Sequence, residues 1–263
     1  MSALRSLSTL PCAWLLAVAL NAQAQGQAMS DEAMSQVSGQ GFFTLTNTSE
    51  GGLDFSRITL NADMQLNANL TGMRLGEYNR ALRQGTGADI DISALQFGRT
   101  DGTTAQRTVA ITNPYIEFVY ANAADASKRE VVGMRMGFGG IQGDIGLKMN
   151  AVSGSLLIDA GSQGTIDSRN DTLGGVRWDG STCTNSAACQ VALAQVGGVT
   201  AGNASGASRD FFISVLKQAV NFPTTQAGLA ASDTAQAGLW LNWRDRLTAI
   251  NTTGTVPVNK AVK

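Results

Sequence analysis

Ile58-Thr59-Leu60-Asn61-Ala62-Asp63-Met64-Gln65-Leu66-Asn67-Ala68-Asn69-Leu70-Thr71 alternates apolar and polar residues without a break. A period of two places the apolar set on one face of an extended chain, so this stretch predicts a long strand or a hairpin with one face turned to a core. At Gly72 the phase slips, and Met73 and Leu75 take over the apolar positions. A glycine at such a slip fits a β-bulge or a bend. Working outward, aromatic and β-branched runs predict strands at Phe42 to Thr46, Ile90 to Phe97, Thr108 to Ile111, Tyr115 to Tyr120, Val131 to Phe138 and Ile145 through Ile158. Asp101-Gly102 and the stretch Asn122 to Ser127 supply turns between them.

Composition agrees with a turn-rich β protein. Thirty glycines stand beside only four prolines, and 43% of the residues are hydrophobic against 15% charged. The expected fold is mainly β: an antiparallel sandwich, a roll or a short solenoid-like sheet. Ser208 to Phe222 is read as an α-helix packed on that sheet, because Phe211, Phe212, Val215, Leu216, Ala219 and Val220 fall on one helical face before Pro223. Gly72-Met73-Arg74-Leu75-Gly76 and Gly133-Met134-Arg135-Met136-Gly137 share the form G-M-R-x-G. Two copies are too few for a solenoid, which needs about three, and suggest two similar strands that pair. The tail from Thr252 is expected to be loose.

Several function classes are excluded at this level. With no histidine in the chain, Ser-His-Asp and Cys-His nucleophiles and His-ligated zinc are absent. A net charge of −1 without a basic run offers no footprint for nucleic acid. No phosphate loop or dinucleotide fingerprint occurs, and no cofactor is expected. Met1 to Ala24 reads as a secretory signal peptide, with Arg5, an apolar core from Cys12 to Leu20 and Ala22-Gln23-Ala24 as the cleavage site. The apolar core is shorter than the ~20 residues of a membrane span, so residues 25–263 are expected to be a single exported domain without a transmembrane segment. The expected location is periplasmic, outer-surface or extracellular. Cys183 and Cys189 are then expected to form a small disulfide loop.

The remaining candidates are weaker in chemistry. Asp89 and Asp91 share a strand face, and Asp167 and Asp171 bracket Ser168-Arg169-Asn170, yet neither set has the ligand density of a calcium loop. A solvated strand face and a turn are the preferred readings. Glu117 is expected to point off the core, within reach of Arg135 or Arg74 on a neighbouring strand. Phe42, Phe43, Trp240 and Trp243 are candidates for a partner surface, although at least one tryptophan suits a core position better.

Directly after the signal, Asp31-Glu32-Ala33-Met34-Ser35-Gln36-Val37-Ser38-Gly39-Gln40 has the form D-x-x-[ML]-x-x-V-x-G-Q. It resembles the entry of uncharacterised exported proteins of Gram-negative bacteria, some labelled as pilus- or filament-associated. Asn113-Pro114-Tyr115-Ile116-Glu117-Phe118, followed by Val132-Gly133-Met134-Arg135-Met136-Gly137, is similar to a second recurring stretch of the same proteins. The resemblance implies a non-enzymatic cell-envelope or surface component whose partners are envelope or filament proteins, and it carries over no catalytic residue. A periplasmic or extracellular ligand-binding module is the alternative.

Overall fold

The alternating stretch that opens the sequence reading is divided among three strands. The computed structural model describes residues 41–81, 85–171, 177–178, 191–224 and 226–260. The signal peptide, the entry motif and both Cys183 and Cys189 lie outside the described residues. Strand β1 (Phe43–Glu50) pairs antiparallel with β2 (Leu53–Leu60), and β3 (Asp63–Leu66) follows after Asn61 and Ala62. Beyond Asn67, β4 (Ala68–Arg80) pairs with β5 (Gly85–Phe97) instead. Asparagine sits at both breaks and uses its side chain to hold the corner. Asn61 Nδ2 donates to Thr44 Oγ1 at 2.9 Å, and Asn67 Nδ2 donates to Asn259 Oδ1 at 3.0 Å. At Gly72 the β4–β5 register runs on unshifted, from Thr71 opposite Ala94 to Met73 opposite Ile92, so the phase slip is a bend and not a bulge.

Strand β6 (Val109–Ala121) spans two predicted strands and pairs with both β2 and β3, with Asn113 at φ 49 facing the break between them. Strand β7 (Glu130–Val152) likewise absorbs Val131 to Phe138 and the start of the next predicted strand. Its first part pairs with β6 as far as Gln142, and its second part pairs with β5 and, from Gly143, with β10 (Gly198–Ala201). Gly143, at φ 136, stands where the partners change, a conformation that only glycine adopts without strain. Strands β8 (Gly154–Asp159), β9 (Thr165–Asp167), β11 (Phe212–Leu216), β12 (Gly238–Trp243) and β13 (Leu247–Asn251) complete the order. The pairings β7–β11–β12–β8–β13–β10–β7 form a closed cycle. The sheet is mixed and not purely antiparallel, because β8 runs parallel to both β12 and β13.

The helix expected over Ser208 to Phe222 is replaced by β11. Phe212, Ser214 and Leu216 are buried while Ile213 and Val215 lie on the other side, so the segment is read with period two. Pairing with β7 on one side and β12 on the other overrides the local helical spacing, and the β-branched Ile213 and Val215 suit the extended form. The G-M-R-x-G copies do not pair with each other: the first belongs to β4 and the second to β7. In the second copy, a Cβ on Gly133 would stand 2.3 Å from the Val215 carbonyl oxygen, and one on Gly137 would stand 2.4 Å from that of Phe211. The two glycines are what let β11 approach β7.

The main core gathers Ile90 and Ile92 of β5, Ile145, Leu147 and Met149 of β7, Leu156 and Ile158 of β8, and Leu241 and Trp243 of β12. A second core lies on the opposite face of β11 and β12, where Phe212, Leu216 and Trp240 meet Val220, Phe222 and Ala235 of the connecting segment. Each large side chain buried this way contributes roughly 1.5–3 kcal/mol. The described part of the tail, residues 252–260, is pinned and not loose: Asn259 Nδ2 donates to the Phe97 carbonyl at 3.0 Å, and the Thr100 N–H donates to the Val258 carbonyl at 2.8 Å.

Candidate functional site

Strands β1, β2, β6 and β7 extend beyond the part of the sheet that the main core covers. Their two faces differ sharply. On one, cross-strand neighbours Leu45, Ile58, Ile116 and Met136 form an apolar row, exposed by 65%, 44%, 40% and 48%. The row ends at Ile213 and Leu241, where the main core begins. Exposed apolar side chains are ordinary singly, but a contiguous row marks an interaction surface.

The other face carries a polar row in the same register: Thr46, Arg57, Glu117, Arg135, Ser214 and Trp240. Glu117 is buried and is held from both sides. Arg57 Nε donates to its Oε1 at 2.9 Å, and Arg135 Nε donates to its Oε2. Arg135 is itself buried, with its guanidinium 4.1 Å from the Phe222 ring centre, and Arg57 lies 4.0 Å over the Tyr115 ring. Burial pushes the Tyr115 phenol up, against the pull of Arg135 and Arg57, so the ring stays neutral at physiological pH. Glu117 is therefore on the core side of this row and not turned away from it, and Arg74 is not its partner. Arg74 pairs instead with Glu77 at 3.2 Å and Asp91 at 3.8 Å.

Beside this row lies a cleft of about 300 Å³ lined by Thr46, Thr48, Arg57, Thr59, Tyr115 and Glu117, with Asn113, Gly139 and Gln226 closing one side. It offers hydroxyl, amide and guanidinium groups to a polar molecule or to an extended chain lying along β1. Thr46 ends the stretch Phe42 to Thr46 that the sequence marks as a strand, whereas Thr48, Arg57 and Gln226 carry no mark of a site in the sequence. The visible signal is Arg57 between Phe55 and Ile58 at the start of the alternating stretch, where a buried position demands an acidic partner.

The other candidates resolve into structural roles. Asp89 is buried and accepts the Leu239 N–H at 3.3 Å, while Asp91 accepts from Asn150 Nδ2 at 2.9 Å. Asp167 caps the turn Ser168–Asn170 by accepting the Arg169 N–H at 3.0 Å. It also receives both terminal nitrogens of Arg244 at 2.8 Å each. Asp171 is buried at the end of the same turn. Among the described residues no group of three metal-ligating side chains comes together, and no helix is long and apolar enough to cross a membrane. Phe42 and Phe43 are exposed, their rings packed edge to face with centres 5.0 Å apart. Trp240 and Trp243 are buried and form no partner surface. Trp243 Nε1 donates to Ser208 Oγ at 2.9 Å, and its ring packs on Phe211.

The Asp167–Arg244 pair continues through Ser155, which accepts from Arg244 Nη1 at 3.0 Å and donates to Asp233, itself paired with Arg169 at 2.7 Å. Burial pushes both aspartates up, but hydrogen bonds from Arg244 to Asp167 and from Arg169 and Ser155 to Asp233 outweigh it, leaving both below the usual carboxylate range. A folded-state pKa below the unfolded one gives stability that is present above about pH 4 and lost as pH falls through the folded value. The thermal midpoint of Asp167→Asn should accordingly fall less than that of the wild type between pH 5 and pH 3, as read by circular dichroism. Equal acid slopes would show that this network does not carry the linkage.

No family model matches the chain, and neither a curated protein nor a solved structure matches it.

Proposed function

We propose that the protein is an exported, non-enzymatic component of the cell envelope or outer surface that joins its partners by strand addition at β1. In this reading it serves as an accessory of a fimbrial or filament system. The fold behind this reading is mainly β, a mixed sheet of thirteen strands. One observation carries the proposal: every residue of β1 is exposed, and among the described residues β1 pairs on one side only, with β2. Edge strands that must stay alone are guarded by proline, lysine, a bulge or a cover. Phe43-Thr44-Leu45-Thr46-Asn47-Thr48-Ser49-Glu50 contains no proline or lysine, and its register with β2 is unbroken. An edge left open over eight residues, beside an exposed apolar row, suits a partner strand.

Phe43→Lys tests this reading. The exposed ring contributes little to the fold, so the unfolding free energy should stay within the scatter of surface substitutions, about ±0.5 kcal/mol. Cross-linking in cells followed by purification should recover envelope partners with the wild type and at least about tenfold less of them with the variant. A wild-type chain that is partner-free in cells and binds a small polar molecule favours the alternative, a ligand-binding module. The cleft beside Arg57 and Glu117 is the observation behind that alternative.

A further inference from the structure

We propose that the strand added at β1 is β1 of a second copy, paired antiparallel about a two-fold axis through Thr46. This rests on reading β1 as the association edge and goes further by naming the partner and its register. The Asn61 N–H donates to the Phe42 carbonyl at 2.9 Å, continuing the register in which Phe43 faces Leu60 and Thr44 faces Thr59. In an antiparallel ladder the hydrogen-bonded pairs alternate. Phe42, Thr44, Thr46 and Thr48 therefore turn their backbone groups toward β2, and Phe43, Leu45, Asn47 and Ser49 turn theirs outward. That outward set is symmetric about Thr46. A two-fold axis there places Phe43 against the partner's Ser49 and Leu45 against the partner's Asn47, so that each outward N–H and C=O finds a counterpart.

Side-chain faces impose a second condition, since residues directly opposite in a ladder must lie on one face of the sheet. An axis through a residue meets it, and an axis between two residues would put Thr46 against Asn47 across the pleat. With the axis at Thr46, Thr44 meets the partner's Thr48 and Thr46 meets its own copy. The result is a ladder of threonine pairs of the kind that stabilises antiparallel strands. Charge does not oppose the pairing. Glu50, the only ionisable residue of β1, falls at the far end from its own copy. Thr46 and Thr48 line the cleft beside Arg57, so the two clefts would join across the axis into one polar trough.

The test uses the full chain exported to an oxidising compartment. Residues facing each other in a pair without hydrogen bonds bring their Cα atoms to ~4.5 Å, within the roughly 4.4–6.8 Å that a disulfide spans. Thr46→Cys should therefore yield a disulfide-linked dimer on a non-reducing gel. Wild type and Thr48→Cys, whose position is offset from its own copy, should not. Leu45→Pro removes an outward N–H without costing a bond to β2, and it should weaken the reversible dimer at least about tenfold in sedimentation. The wild-type dimer should appear over about 1–100 µM, because one strand edge buries less than the ~1,200 Å² of a standard interface. A Thr46→Cys chain that stays monomeric, or a Thr48→Cys chain that cross-links as readily, overturns the proposal. If Leu45→Pro loses its envelope partners while the wild type is monomeric throughout, self-pairing fails and the strand-addition reading stands. If Leu45→Pro keeps its partners and its oligomeric state, both fail.

Discussion

Replacing Glu117 by alanine is expected to destabilise the fold by about 3–5 kcal/mol, the usual result of removing one partner from a buried charge group. Glu117 is the only acidic side chain of its row, and it separates the guanidiniums of Arg57 and Arg135. Without it, Arg135 is left 4% exposed with its guanidinium 4.1 Å from the Phe222 ring centre, and it and Arg57 both lose the carboxylate that lies between them. Glu117→Gln keeps the shape and an acceptor oxygen, and should cost less. Replacing Arg57, Glu117 and Arg135 together by apolar residues of similar volume should cost least, since the desolvation penalty goes with the charges. Urea denaturation of the three variants settles the order. A loss below about 1 kcal/mol for Glu117→Ala would mean that water reaches the row, and that Arg57 and Arg135 are solvated without their carboxylate.

That row also shows where sequence reading stopped. The period-two pattern correctly indicated a mainly β protein, and the stretches around Ile90 to Phe97 and Val131 to Phe138 are strands. Local pattern does not reveal where one strand ends and changes sheet. Ile58 through Leu70 alternates continuously because all three of its strands keep an apolar side, while the breaks at Asn61 and Asn67 are fixed by side-chain bonds to Thr44 and Asn259, distant in sequence. Phe211 to Val220 failed for the converse reason. Its apolar residues satisfy a helix equally well, and only the approach allowed by Gly133 and Gly137 decides for a strand. Glu117 between Ile116 and Phe118 looked outward-facing because alternation was assumed to put polar residues in water. Here both faces of β6 are covered in part, and the acidic residue is held by basic neighbours on strands β2 and β7.

The same distinction between edge and core governs Trp243→Glu, which should leave the chain unfolded, in contrast to the silent Phe43→Lys. Trp243 is 3% exposed, belongs to the main core with Leu241, and packs edge to face on Phe211 with ring centres 5.1 Å apart. Losing a buried tryptophan costs about 3–5 kcal/mol through lost transfer energy and the cavity left behind. Glutamate adds the burial of a carboxylate with no basic partner in that cluster, and it strands the Ser208 hydroxyl that now accepts the indole N–H. The sum reaches the ~5–15 kcal/mol that a whole domain commands. Near-UV circular dichroism should lose its aromatic signal and the cooperative thermal transition should disappear. Trp243→Phe, which keeps most of the ring and loses only the hydrogen bond, should retain both. A folded, soluble Trp243→Glu chain that merely fails to capture partners would place this tryptophan at a surface, and with it the boundary between the covered and uncovered parts of the sheet.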